Sequence, residues 1–123
     1  MSAVDLYRDM ILDHWRDPRK NEVLENPTHQ HTLANASCGD NAAIELRIEN
    51  DLISDVSIQI SGCALSTASA SVLAESILGK PIDEVSKLTE VDIRELLGGI
   101  EPVFARTGCL TLGLQAIQQA LVD

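Results

Sequence analysis

The chain is 123 residues long, which fits one domain over residues 1–123, since a single core usually occupies about 100–200 residues. Its formal net charge of −10, from 9 Lys and Arg against 19 Asp and Glu, excludes the basic face that nucleic-acid binding needs and the polybasic segment that docks to anionic membranes. Hydrophobic residues make up 45% and aromatics only 2%, so a globular core must be built from Ile, Leu, Val and Ala.

No run approaches the roughly 18 consecutive apolar residues of a membrane span. The stretch from Met1 to Met10 carries Asp5, Arg8 and Asp9 where a secretory signal would have an apolar segment. Three cysteines, an odd number, in a chain large enough to fold without disulfide staples, read as reduced thiols in a cytoplasmic protein.

In chain order, a helix is predicted from about Asp5 to Arg16, with Leu6, Met10, Ile11 and Trp15 on one face and Pro18 as its stop. Asn21 to Gln30 reads as loop, and a short strand follows over His31 to Ala34. Ile44, Leu46 and Ile48 alternate with Glu45, Arg47 and Glu49, and Val56, Ile58 and Ile60 alternate with Ser57, Gln59 and Ser61. This is the period of two strands with one wet face, joined through Asn50-Asp51 as an antiparallel hairpin.

The pattern then turns helical. An Ala- and Ser-rich helix is predicted over Ser66 to Leu78, ended by Gly79 and Pro81, with Ala68, Ser69, Val72, Leu73 and Ile77 packed on the sheet. Pro81 opens a short helix carrying Ile82, Val85 and Leu88. Thr89 with Asp92 three residues later forms a capping box for another, ending at Gly98-Gly99. The last helix spans Thr107 to Leu121, with Leu110, Leu114, Ile117 and Leu121 as its buried stripe. Strands grouped ahead of helices specify an α+β domain, a three-stranded antiparallel meander with helices packed on one face.

The three cysteines fall at element boundaries. Cys38 lies in Ser37-Cys38-Gly39-Asp40 ahead of the hairpin, Cys63 in the turn from strand to long helix, and Cys109 at the start of the last helix. A cysteine is often a small buried hydrophobe. Three at boundaries, two of them beside Gly39 and Gly62, favour chemistry over packing. Helix N-termini favour anions and raise the thiolate fraction, which suits Cys63 and Cys109 for binding metals or attacking sulfur. Cys38, Asp40, Cys63 and Cys109 would offer three sulfurs and one oxygen, acceptable to tetrahedral zinc or to iron. There is no C-x-x-C pair, so spacing alone is a weak signal; composition and periodicity carry the reading to a candidate three-thiolate site and no further.

Other polar groups have simpler readings. His14, beside Trp15 on a helix face, reads as a structural group. His29 and His31 flank Gln30 in a polar stretch and read as solvated. Ser66, Ser69 and Ser71 lack a nucleophile elbow and an oriented His–Asp pair, and read as small packing residues.

Four segments, in order, resemble the U-type iron–sulfur cluster assembly proteins (IscU, SufU and the N-terminal domain of NifU). Leu6 to Arg19, with Asp13-His14-Trp15 before Pro18-Arg19, looks like the family's opening helix. Ala36-Ser37-Cys38-Gly39-Asp40 resembles its Pro-x-Cys-Gly-Asp loop, and Gly62-Cys63-Ala64-Leu65-Ser66-Thr67-Ala68-Ser69-Ala70-Ser71 resembles its Gly-Cys-x-x-Ser-x-Ala-Ser-x-Ser segment. Arg106-Thr107-Gly108-Cys109-Leu110 resembles its last cysteine and following helix.

The resemblance implies a SufE/NifU-like fold and a scaffold or sulfur acceptor serving a pyridoxal-phosphate cysteine desulfurase (SufS- or IscS-like), which passes its product to apo iron–sulfur proteins or a carrier. It implies that Cys38, Asp40, Cys63 and Cys109 bind zinc or a nascent [2Fe–2S] cluster at one end of the sheet, and that Cys109 receives persulfide. Gly108 stands where the IscU branch has a His, and Glu101-Pro102-Val103-Phe104 does not reproduce that branch's chaperone motif. Arg106, three residues before Cys109, is SufU-like, but the interval from Cys63 to Cys109 has no room for the usual SufU insertion. Arg106 either supports a persulfide or thiolate, pairs with Asp40 when metal is absent, or is a surface charge. A zinc-dependent sulfurtransferase and, outside the family, a structural zinc domain are the competing readings.

Overall fold

Three strands, His29–Asn35 (β1), Asp40–Glu49 (β2) and Leu52–Ser61 (β3), form the antiparallel meander in the order β1-β2-β3. This computed structural model describes Asp9 and residues 12–17, 20, 22–35, 40–62, 64–98 and 107–122. Asn50 and Asp51 close the β2–β3 hairpin with φ of 54° and 63°. Both are residue types that tolerate the left-handed region, and a two-residue loop of that shape matches the strand twist. Arg47 pairs with Asp55 and Ile48 with Ile53, so Ser54 is an extra residue in β3, and its Oγ donates to the Arg47 carbonyl at 3.0 Å. β1 begins at His29, two residues before the expected strand, so His29 joins His31 in the sheet, the two paired with Leu46 and Ile44, instead of lying in the loop.

One sheet face carries the core. Ala42, Ile44 and Leu46 alternate inward along β2, with Ile58 opposite Ile44 and Val56 opposite Leu46. Helices Ala64–Ile77 (α1), Ile82–Ser86 (α2), Glu90–Leu96 (α3) and Thr107–Val122 (α4) complete the order. α1 lies on β3, α4 lies across β1 and β2, and the two helices pack on each other. A Cβ built on Gly113 of α4 would sit 3.2 Å from the Ala70 Cβ of α1, so small side chains set the helix separation. Leu73, Ile77, Leu112, Leu114 and Ile117 fill the space between, and among the described residues no aromatic is buried.

α4 buries more than the expected stripe. Leu114 and Ile117 are in the core, but so are Leu112, Ala116 and Ala120, while Leu121 is only half-buried and the Leu110 side chain lies outside the described residues. A helix wedged between a sheet and a second helix loses solvent on two sides, which leaves Gln115, Gln119 and Val122 as its exposed edge. The capping box forms as expected, with the Thr89 N–H donating to Asp92 Oδ2 at 2.7 Å. Gly79 and Gly98 follow α1 and α3 with φ of 84° and 87°.

The β3 edge of the sheet is partly covered. Residues 12–16 are helical, and the remainder of the expected first helix lies outside the described residues apart from Asp9, which is also helical. The Lys20 carbonyl accepts the Ile58 N–H at 2.7 Å, and the Lys80 carbonyl accepts the Ile53 N–H at 3.0 Å, so β3 does not present a bare row of donors. No helix among the described residues is long and apolar enough to cross a membrane.

Candidate metal centre

Asp40 is the first residue of β2, paired with Asn35 at the end of β1, and its neighbour Asn41 pairs with Ser61 at the end of β3. All three strands therefore reach the same end of the sheet at Asp40, and α1 starts there, at Ala64. Asp40 is only 5% exposed. Burying a charge is costly unless donors replace the lost water. Here the Ser66 hydroxyl, in the first turn of α1, donates to Asp40 Oδ2. A Cβ on Gly62 would fall 2.7 Å from the Asp40 Cβ, so only a glycine fits beside this carboxylate.

Helix direction brings the last element to the same end. Gly113 meets Ala70, each six residues past the first residue of its helix. Further along α4, the Gln118 amide donates to the Leu88 carbonyl at 2.8 Å, beyond the C-terminus of α1. α1 and α4 thus run the same way, and the first turn of α4, with Cys109 as its third residue, is directed toward the Asp40 end. The positive ends of two helix dipoles share that end of the sheet.

The expected donors divide into three groups. Asp40 is placed as described. Cys109 has its backbone in α4, with its side chain outside the described residues, and Cys38, Cys63 and Arg106 lie outside them entirely. Among the described residues no three His, Cys, Asp or Glu side chains are grouped to hold a metal. The histidines are elsewhere. His14 Nδ1 and the Ser71 Oγ are hydrogen-bonded at 2.7 Å, with Glu75 3.9 Å from Nε2, which ties the N-terminal helix to α1. His29 bonds Thr28 at 2.9 Å, and His31 shares a groove with Leu33, Gln115 and Gln118.

Two residues gain roles that the sequence reading did not give them. Gly62, noted in the sequence only as the neighbour of Cys63, provides the space in which the Asp40 carboxylate sits. Ser66, read as a packing residue, is the donor to that carboxylate. The available signal was the acid itself: a carboxylate at the mouth of an apolar sheet needs a nearby hydroxyl or amide.

The family described as NifU-like N terminal domain matches residues 6–123. The iron–sulfur cluster assembly scaffold protein IscU of Aquifex aeolicus is 37% identical over 119 residues, covering 95% of this chain and 74% of that protein. The zinc-dependent sulfurtransferase SufU of Bacillus subtilis is 29% identical over 133 residues, covering 94% of this chain and 89% of SufU. That alignment is longer than the 123-residue chain, so SufU carries residues with no counterpart here. The crystal structure of a NifU-like N-terminal protein from Brucella abortus superposes with a TM-score of 0.82 at 19% identity, covering 98% of this chain and 96% of the other, and shares the fold.

Proposed function

The chain belongs to the NifU-like N-terminal domain family, the U-type iron–sulfur cluster assembly proteins, and on that premise we propose that it is a scaffold on which a [2Fe–2S] cluster is assembled from iron and desulfurase-derived sulfur. The observation that carries the reading is the buried Asp40 carboxylate, held by Ser66 at the point where the three strands and α1 meet. Cys38 is two residues before it in the chain, and Cys63 follows Gly62 directly. Successive Cα atoms are about 3.8 Å apart, so both cysteines are tethered close to that carboxylate. Cys109 joins them from the first turn of α4.

Three thiolates and one carboxylate suit iron and zinc alike. A cluster is the cargo in this reading, and the oxygen ligand keeps one corner exchangeable, because a carboxylate holds iron less firmly than a thiolate does. Zinc bound by Cys38, Asp40, Cys63 and Cys109 would keep the thiols deprotonated and together. Cys109 is the sulfur acceptor: its position in a helix's first turn favours the thiolate, the nucleophilic form. That thiolate attacks the outer sulfur of a persulfide on a pyridoxal-phosphate cysteine desulfurase, forming a persulfide on Cys109 and returning the desulfurase thiolate. Arg106, three residues earlier, supplies a cation for the developing negative charge. Apo iron–sulfur proteins or a carrier then take the cluster.

The second reading, a zinc-dependent sulfurtransferase, is supported by the similarity to SufU. The residues that SufU has and this chain lacks favour the scaffold.

Anaerobic incubation of the protein with ferrous iron, cysteine, a thiol reductant and a cysteine desulfurase tests the reading. Visible sulfide-to-iron charge-transfer bands should develop, and should fail to develop with Cys38→Ser or Cys63→Ser. Zinc that iron does not displace, with persulfide on Cys109 and no bands, establishes the sulfurtransferase instead. Neither bands nor persulfide removes both.

A further inference from the structure

We propose that Ser66 is a positioning residue of this site: by donating to Oδ2 it fixes the plane of the Asp40 carboxylate, so that Asp40 meets a metal through one oxygen and does not chelate with two. This rests on the reading that Asp40 is a ligand. Ser66 is 1% exposed and reaches Asp40 across 26 residues of chain. Its own carbonyl accepts the Ser69 Oγ at 3.2 Å, so the first turn of α1 anchors it from behind. Gly62 confines the carboxylate near its other oxygen, Oδ1, where any side chain would overlap it. A carboxylate clamped between a donor and a backbone wall has one orientation to offer.

The consequences are geometric as well as energetic. Groups that orient metal ligands typically contribute 10–100-fold to metal affinity. A hydroxyl on one carboxylate oxygen also suppresses two-oxygen binding, which would raise the coordination number of a tetrahedral site.

Cobalt(II) alone is the probe, because its ligand-field absorption is intense in tetrahedral sites and weak in five- or six-coordinate ones. Ser66→Ala should bind cobalt about tenfold more weakly and with a weaker ligand-field band. Ser66→Thr keeps the hydroxyl and should restore both, and Ser66→Val, of nearly the same shape without the donor, should not. The Thr and Val pair decides the question even where the Ala variant fails to fold. If Ser66→Val matches Ser66→Thr in affinity and spectrum while Asp40→Ala changes both, the proposal is overturned and the ligand set stands. If Asp40→Ala leaves affinity and spectrum as they are in the parent, Asp40 is not a ligand, and the premise falls together with the proposal.

Discussion

Gly62 and Asp40 compete for one volume: a Cβ added to Gly62 lands 2.7 Å from the Asp40 Cβ and closer still to its carboxyl. The Gly62 backbone and the Ser66 donor in the first turn of α1 both constrain the acid at the sheet end. Gly62→Ala should therefore move the carboxylate off Ser66. The expected stability loss is about 1–3 kcal/mol, the usual cost of overpacking, measured by urea unfolding of the metal-free protein. Zinc affinity should fall in the same variant, measured by competition with a chromophoric chelator. Unchanged stability together with unchanged affinity would show that the acid has room to spare.

The approach of α4 to α1 at Gly113 and Ala70 can be tested by size. Alanine at 113 gains about 0.5–1 kcal/mol of helix propensity, but its Cβ arrives 3.2 Å from the Ala70 Cβ and forces a small shift. Those effects nearly cancel, so Gly113→Ala should be close to neutral. Gly113→Val adds two methyls at the contact and should lose about 1–3 kcal/mol. Thermal or urea unfolding of the two variants distinguishes a tight contact from a slack one. A tolerated valine would mean the helices are free to separate.

How legible the molecule was in its sequence depended on the range of the interaction. The alternation Ile44–Leu46–Ile48 and Val56–Ile58–Ile60, the Asn50-Asp51 turn and the Thr89–Asp92 box are local patterns and form as read, except that Ser57, expected on the wet face, is fully buried. The β1 start and the α4 face were read less well, because pairing with β2 extended one and burial between two layers widened the other. At the candidate site, the sequence singled out Asp40 by its place two residues after Cys38, and the structure puts it buried at the sheet end. The Ser66 donor and the Gly62 wall were not, since each acts on Asp40 only after β2 and β3 pair and bring their ends together. A contact across 26 residues leaves no periodic trace in the chain.

Ser57 gives an opposite kind of prediction. It is fully buried in β3, on the face away from the core, and its Oγ has no hydrogen-bond partner among the described residues. A buried hydroxyl without a partner carries its whole desolvation cost. Ser57→Ala removes that group with little change in volume and should raise stability by about 1 kcal/mol. The urea midpoint should rise at constant slope. A lower midpoint would mean that the hydroxyl has a water or an unrecognised acceptor.

His14 and Ser71 join segments 57 residues apart, with 2.7 Å between Nδ1 and Oγ, and the imidazole is only 12% exposed. The bond fastens the N-terminal helix to the middle of α1, five residues beyond Ser66. Glu75, 3.9 Å from Nε2 and half-exposed, adds little because water screens it. Each single change deletes a hydrogen bond in a poorly hydrated position, so His14→Ala and Ser71→Ala should each destabilise the protein. Their effects should not add: the double variant should recover about 0.5–1.5 kcal/mol relative to the sum of the singles, the net worth of one hydrogen bond. Zinc affinity should stay at the parental level in all three variants, since the pair lies away from Asp40. Strict additivity would show that the two side chains are neighbours without being partners, and a parallel loss of zinc would place the N-terminal helix within the metal site.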